Sequence, residues 1–220
     1  MDLSNNDVIL SILVDKIIYS ESTMHELTKV LEPALSAVGE LLAADGAEVA
    51  LVVVGGATLN LLGLINRTTQ DVDVIAVATD PVGAVPALLA PPDPLPDALQ
   101  RAILRVARDF GLAPDWINTA IARQWSQGLP PWLPHDITWR RFGGLHVGLV
   151  GRRTLVALKL FATVDQSLRS VHAQDLLALV PTDAELDEAA AWVVTQDASD
   201  SFPRLVGEVV EHVRANRRDH

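Results

Sequence analysis

The chain lacks several features that define common classes of protein. It contains no cysteine, which excludes a disulfide framework and thiolate chemistry. No apolar run reaches the roughly 18 residues, free of polar interruption, that a membrane-spanning helix needs. The segment Met1–Asp7 is polar and acidic and lacks the basic residues with which a signal peptide begins. Together these absences favour a cytoplasmic protein with no membrane partner.

Basic residues are also scarce. The chain has 17 lysines and arginines against 28 aspartates and glutamates, for a formal net charge of −11. This deficit argues against broad, non-specific binding to nucleic acid, which requires many contacts from lysine or arginine to phosphate. A local basic groove stays open as an alternative, because Arg101, Arg105 and Arg108 recur at helical spacing. We interpret these arginines as a solvated face that balances the surplus of acidic residues.

What the chain does contain indicates a globular protein of mixed α/β class. Its 220 residues, 49% of them apolar, suffice for one large domain or two small lobes around a real core. Strand and helix patterns mix up to about residue 150, and only helical patterns follow. We therefore predict a mixed sheet flanked by helices, with its N-terminal helices, over residues 1–151, and a helical C-terminal subdomain over residues 152–220.

Hydrophobic periodicity and turn residues predict the individual elements. The predicted strands cover residues 48–54, 71–78, 137–142 and 145–150, the last two as a hairpin. The predicted helices cover residues 7–18, 22–44 with a kink or break at Pro33, 57–64, 97–110, 153–168, 172–180, 183–195 and 203–215. We expect a long surface loop over residues 80–97 and another short helical piece that begins within residues 114–118.

The most informative pattern joins a pair of glycines to a pair of carboxylates. An apolar strand ends at Gly55-Gly56, a short helix follows, and the next strand begins with Asp71-Val72-Asp73-Val74. Because side chains alternate along a strand, Asp71 and Asp73 should point to the same side while the valines point into the core. Two adjacent carboxylates repel each other. A divalent cation such as Mg²⁺ or Mn²⁺ is the usual compensation.

These parts suit a reaction on a nucleoside triphosphate (NTP). Glycines allow the backbone to approach phosphate closely, and N–H groups at the start of a helix can bind its oxygens. A cation held by two carboxylates bridges the phosphates, polarises phosphorus and lowers the pKa of an attacking hydroxyl. Catalysis would then consist of positioning and charge neutralisation.

Two blocks of the sequence resemble a known superfamily. Gly55-Gly56 with Arg67-Thr68-Thr69-Gln70-Asp71-Val72-Asp73 resembles the signature of the polymerase-β-type nucleotidyltransferases. The closest form is the minimal bacterial group that includes the AbiE type II abortive-infection toxins and the related MenT toxins. Leu155-Val156-Ala157-Leu158-Lys159-Leu160-Phe161-Ala162 resembles the lysine-containing helix of that family, and Asp175-Leu176 resembles part of its next helix. The resemblance spans about residues 50–180.

The resemblance implies a role for each matching residue. Asp71 and Asp73 would bind the cation, Lys159 would contact nucleotide phosphate, and Asp175 would orient Lys159 or the substrate. Asp175 has a second interpretation as a plain acid near a helix N-terminus. The other expected nucleotide contacts are Gly55, Gly56, Thr58, Arg67 and Thr68. Arg67 also has a second interpretation, as an ion-pair partner of Asp71.

The sequence departs from the family pattern at two points. Where the family often has a second acid, three residues before its last aspartate, this chain has His172. The superfamily also places a third carboxylate on a later strand, and here Asp115 is the first candidate for this metal ligand and Asp136 the second. Asp165 is interpreted as an ion-pair partner of Arg169 on the same helix.

We therefore predict an enzyme that transfers a nucleoside monophosphate from an NTP to an acceptor and releases pyrophosphate. Resemblance to the toxins implies tRNA or a protein hydroxyl as the acceptor and a neighbouring antitoxin as a partner. Two alternatives stay open: a nucleotidyltransferase for a small molecule of the antibiotic type, and a nucleotide-binding module without turnover. A basic rim around the cleft would favour RNA, and an acidic rim would favour a cationic small molecule.

Overall fold

A computed structural model of the chain describes residues 30–65, 69, 71–79, 83 and 85–217. It contains a mixed sheet flanked by helices, which confirms the predicted fold class. The helix predicted over residues 7–18, and the first part of the helix predicted over residues 22–44, lie outside the described residues.

The elements are numbered in chain order. The strands are β1 (Val49–Val54), β2 (Val72–Ala78), β3 (Leu89–Ala90), β4 (Ile117–Asn118), β5 (Ile137–Phe142) and β6 (Leu145–Val150). The described part of the first helix, α1, covers residues 30–44. The later helices are α2 (Gly55–Leu61), α3 (Asp97–Phe110), α4 (Gln124–Gln127), α5 (Arg152–Gln166), α6 (Val171–Ala178), α7 (Asp183–Val193) and α8 (Phe202–Asn216). Short 3₁₀ helices cover Ala120–Arg123, Leu133–His135 and Val194–Gln196. None of the helices in this part of the chain combines the length and the apolar character that a membrane span requires.

The sheet has the strand order β3-β2-β1-β6-β5. In its centre, β1 pairs antiparallel with β2 and parallel with β6, and β5 and β6 form the predicted antiparallel hairpin. The outer edge of β2 is shared by two short strands. β3 pairs antiparallel with the end of β2, and β4 pairs parallel with its beginning. The pairing with β4 brings a later segment of the chain to Asp73.

Both faces of the sheet are covered by helices. Leu51 and Val53 of β1 belong to an apolar cluster with α1 and α3, whereas Val52 and Val54 belong to a second cluster with α5, α6, α7 and α8. Burial on both faces explains why β1 is continuously apolar instead of alternating. The C-terminal helices therefore share a core with the sheet, while the division of the chain at residue 151 stays a prediction.

Three sequence-based expectations differ from the structure. The helical piece predicted to begin within residues 114–118 starts later, at Ala120, because Ile117–Asn118 form β4. Trp116 and Ile117 are buried, and the backbone N–H of Val72 donates to the carbonyl of Trp116 at 2.6 Å, so the open edge of β2 determines the local conformation. The short helix predicted over residues 57–64 begins two residues earlier, at Gly55. Pro33 lies within α1, so it is not a break in the helix.

Helix α1 meets the β5–β6 hairpin with backbone against backbone. The N–H of Gly144 donates to the carbonyl of Gly39 at 2.9 Å. A Cβ atom on Gly39 would lie 1.6 Å from the carbonyl oxygen of Phe142. The contact therefore requires glycine at position 39.

Candidate functional site

The site begins where β1 turns into α2. Val54, the last residue of β1, pairs with Asp73 of β2. Gly55 follows with a φ of +75°, and a Cβ atom on it would lie 2.5 Å from Oδ2 of Asp73. Both the left-handed backbone and the missing side chain are therefore needed at this position. The carboxylate of Asp73 lies against the backbone of the glycine pair that the sequence singled out.

The two predicted cation ligands interact with each other. Asp71 is exposed just before β2, where the Thr69 hydroxyl donates to its Oδ1 at 3.1 Å. Asp73 is half-buried within β2. Burial raises the pKa of Asp73 above its ordinary value, and the charge of Asp71 raises it further. A hydrogen bond from Asn118 and the charge of Lys159 oppose this rise in pKa.

Asn118 is a site residue that sequence reasoning missed. It lies directly opposite Asp73 in the parallel pairing of β2 with β4. Its Oδ1 accepts a hydrogen bond from the backbone N–H of Ala120 at 3.0 Å, and its side chain is close enough to Asp73 to lower the pKa of that carboxyl by hydrogen bonding. The one sequence signal was the apolar Trp116-Ile117 pair before it, which is typical of a buried strand.

Lys159 and Asp175 form a buried ion pair between α5 and α6. Lys159 Nζ lies 2.7 Å from Asp175 Oδ2, and the two side chains are 6% and 3% exposed. Lys159 Nζ also lies 3.4 Å from Nδ1 of His172. The Ser170 side chain caps α6 by accepting from the N–H of Ala173 at 3.2 Å, which sets the start of this helix. His172 and Asp175 are therefore three residues apart on one helix and both face Lys159.

A cleft of about 470 Å³ is bordered by Asp73 and by His172, whose Nδ1 lies 3.4 Å from Nζ of Lys159. Asp73 lines it from the sheet, His172 lines it from α6, and Phe161 and Asp165 line it from α5. Arg123 of the 3₁₀ helix adds a positive charge. The lining thus carries charges of both signs.

The ion pair predicted between Asp165 and Arg169 is absent from the described residues, because α5 ends at Gln166 and Arg169 is not on the same helix.

The structure does not bring Asp115 to Asp73. Asp115 is exposed and lines a separate pocket of about 330 Å³ together with Asp93 and Asn118. Within the described ranges, no group of three or more histidine, aspartate or glutamate side chains is placed to hold a metal ion.

Asp136, the second candidate for a third carboxylate, caps α5. Its Oδ2 accepts from the backbone N–H of Thr154 at 3.1 Å and from its hydroxyl at 2.8 Å.

The other expected nucleotide contacts have different positions. Thr58 is fully buried, and its hydroxyl donates to the carbonyl of Val53 at 2.8 Å, so it leaves no surface for a nucleotide. Gly56 is buried at the start of α2. Arg67 and Thr68 lie outside the described residues.

The donor set fits a hard divalent cation such as Mg²⁺. Asp71 and Asp73 offer carboxylate oxygens, and their mutual repulsion contributes to the raised pKa of Asp73. A cation between them would remove this repulsion. Two carboxylates are enough, because Mg²⁺ in proteins is commonly held by one or two carboxylates together with substrate phosphates and water.

Comparison with known proteins agrees with this part of the fold. Residues 31–110 match a protein family described as a nucleotidyltransferase of unknown function (DUF6036). The matched range contains β1, the glycine pair and the strand with Asp73. No curated protein and no solved structure matches the chain. The family match supports nucleotidyl transfer as the general kind of reaction, and its description names neither a nucleotide nor an acceptor.

Proposed function

We propose that this chain transfers a nucleoside monophosphate from an NTP to an acceptor hydroxyl. The observation that carries the proposal is the arrangement around one cleft. Asp73 lies against Gly55, its pKa is influenced by both Asp71 and Lys159, and Lys159 is paired with Asp175. These residues come from distant parts of the sequence, and a purely structural ion pair would not need the two neighbouring carboxylates of Asp71 and Asp73, one of which is within range of the charge of Lys159.

In the proposed reaction, the acceptor hydroxyl releases its proton to water, and its oxygen forms a bond to the α-phosphorus. The bond from this phosphorus to the oxygen that bridges to the β-phosphorus breaks, and pyrophosphate leaves with the electron pair. When bound, Mg²⁺ or Mn²⁺ would neutralise phosphate charge and lower the pKa of the acceptor hydroxyl. Asp71 and Asp73 would hold the cation, Lys159 would place a positive charge at the triphosphate, and Asp175 would orient Lys159. Gly55 allows the backbone to approach the phosphates.

For the acceptor, the proposal is tRNA or a protein hydroxyl, and the chain would act as the toxin of a toxin–antitoxin pair. This part is supported by the resemblance of the two sequence blocks to the AbiE type II and MenT toxins. The cleft is also lined by Arg123, whose positive charge would bind a phosphate of the acceptor.

A second candidate acceptor is a small cationic molecule. The pocket that adjoins Asn118 is lined by Asp93 and Asp115, and the described lining includes no basic residue. An acidic pocket beside the reacting groups would suit an amine-bearing acceptor. This observation favours small-molecule transfer over a binding module without turnover.

The test is transfer of label from α-³²P-NTP. Purified protein is incubated with Mg²⁺, each of the four NTPs in turn, and total tRNA. The Asp71→Asn/Asp73→Asn variant, shown to be folded by circular dichroism, serves as control. We expect label on RNA or on protein that the control does not transfer. If no label appears, the RNA and protein acceptors are excluded, and pyrophosphate release with an aminoglycoside tests the second candidate. Absence of both products from folded protein would contradict the proposed function.

A further inference from the structure

We propose that Asn118 is a positioning residue for the cation site, because its side-chain amide holds the carboxylate of Asp73 in the orientation in which Asp73 binds a divalent cation. The inference rests on the proposed function for the identity of the site. It concerns a residue of β4 that the sequence pattern does not include.

The position of Asn118 is determined by the residues before it. Trp116 is 1% exposed and Ile117 is 3% exposed. The indole N–H of Trp116 donates to the carbonyl of Ile103 in α3 at 3.4 Å, and the carbonyl of Trp116 accepts from Val72 of β2. Two buried side chains and a backbone hydrogen bond thus hold β4 on β2, which places Asn118 opposite Asp73.

The orientation of the amide is determined by the residue after it. Oδ1 of Asn118 accepts from the N–H of Ala120 at 3.0 Å. Because the oxygen is used in this way, the NH₂ group is available to donate to the carboxylate of Asp73. A hydrogen bond from a neutral donor to a carboxylate both orients it and favours its ionised form.

The side chain of Asn118 also affects the site because its amide is uncharged. Asn118 supplies a donor to Asp73 without adding a third negative charge beside Asp71 and Asp73. Hydrogen-bond partners of metal ligands typically change metal affinity by about 10- to 100-fold when they are removed. An effect of this size is large enough to measure without any catalytic assay.

The experiment is titration of the full chain with Mn²⁺, followed by electron paramagnetic resonance of the free ion. We expect Asn118→Ala to bind Mn²⁺ about tenfold or more weakly than the wild type. Thermal unfolding of both proteins, and a titration temperature well below their midpoints, separate loss of affinity from loss of folding. Asp115→Asn is titrated in parallel, because it tests the other sequence-derived candidate for a third ligand.

A second variant tests the geometry without relying on affinity. Asn118→Asp retains an oxygen that can accept from Ala120 but replaces the donor with a carboxylate that faces Asp73. Without a cation its unfolding temperature should fall below that of the wild type because like charges repel. Saturating Mn²⁺ should then raise this temperature by more than it raises that of the wild type.

The outcomes separate the two proposals. If the wild type binds Mn²⁺ and folded Asn118→Ala binds it within twofold, the positioning role is wrong while the proposed function stands. Loss of Mn²⁺ binding in Asp115→Asn alone would also overturn the positioning role and assign the third ligand to Asp115. If the wild type does not bind Mn²⁺ without NTP, the positioning role is wrong, and the label-transfer assay decides the proposed function separately, because substrate phosphates complete the coordination of the cation.

Discussion

Gly55 has two properties on which the position of Asp73 depends, and substitutions can separate their effects. Its φ of +75° is a conformation that residues with a Cβ atom rarely adopt, and its missing side chain leaves room for Oδ2 of Asp73. Gly46 has a similar φ of +67°, yet no atom lies within 4 Å of the place where its Cβ would stand. The two positions therefore differ mainly in the presence of the carboxylate.

We predict that Gly46→Ala lowers the free energy of unfolding by about 1 kcal/mol, from the backbone conformation alone. Gly55→Ala should lower it by more than that and should also weaken Mn²⁺ binding, because the new methyl group displaces the carboxylate of Asp73. Urea unfolding and Mn²⁺ titration of both variants provide the measurements. Equal unfolding free energies and unchanged Mn²⁺ affinity would show that Asp73 does not depend on the space at Gly55.

At the residue scale, the sequence predicted the groups that lie close together in the chain. The alternation that should place Asp71 and Asp73 on one side is consistent with their electrostatic interaction. Asn118 could not be predicted, because its role arises from pairing between β2 and a two-residue strand far along the sequence. A local pattern contains no information about which strand edge a later segment will join.

At the scale of elements, the ion pair of Lys159 and Asp175 connects α5 to α6. Both side chains are almost fully buried, so each needs the charge of the other. Removal of one partner leaves a buried charge without its main compensation. Replacement of both by apolar residues of similar size avoids this penalty.

We predict that Asp175→Asn lowers the free energy of unfolding by about 3 kcal/mol or more. The double variant Lys159→Met/Asp175→Leu should recover most of this loss but should not transfer nucleotide. Urea unfolding and the label-transfer assay measure the two properties. A double variant that is as unstable as Asp175→Asn would indicate that the pair has a larger structural role than the proposed one.

Glu185 connects α5 to α7 through a capping box. It accepts from the N–H of Thr182 at 2.8 Å and from Arg152 Nε at 2.6 Å. The hydrogen bond from Arg152 is the main reason that the pKa of Glu185 is lower than its ordinary value. A carboxylate with a lowered pKa in the folded state stabilises the protein above its unfolded pKa, and this contribution is lost as the pH falls through its folded pKa.

We therefore predict that Glu185→Gln lowers the free energy of unfolding by about 1–2 kcal/mol at pH 7 and by much less at pH 3. Urea unfolding at the two pH values measures the difference. Glu48→Gln is a suitable control, because Glu48 forms an exposed ion pair with Arg141, and such pairs contribute about 0–1 kcal/mol. An effect of Glu185→Gln that does not change with pH would mean that the charge of Glu185 is not what stabilises the cap.

Most elements could be predicted because they carry strong local signals. The four C-terminal helices have apolar periodicity bounded by Pro181, Pro203 and capping residues, and the structure places their ends within two residues of the expected ones. β4 was not predicted, because two residues are too few to show a period. Its conformation depends on the burial of Trp116 and on the free edge of β2.

At the scale of the whole molecule, the continuous apolar pattern of β1 is typical of a central strand covered on both faces. It did not show which helices cover which face. That arrangement follows from the packing of α1 and α3 on one side and α5 to α8 on the other. The cleft lies on the side of the second packing, because α5 and α6 contribute Phe161, Asp165 and His172 to its lining opposite Asp73.

The backbone contact between α1 and the β5–β6 hairpin affects how related sequences should be interpreted. Gly39, Gly143 and Gly144 approach their neighbours so closely that a Cβ atom on any of them would overlap with backbone atoms. If glycine recurs at these three positions in related chains, its recurrence reflects the geometry of packing and not participation in chemistry. An alignment used to locate the active site should therefore give these positions no weight, however invariant they are, and should give weight to variation at Asn118.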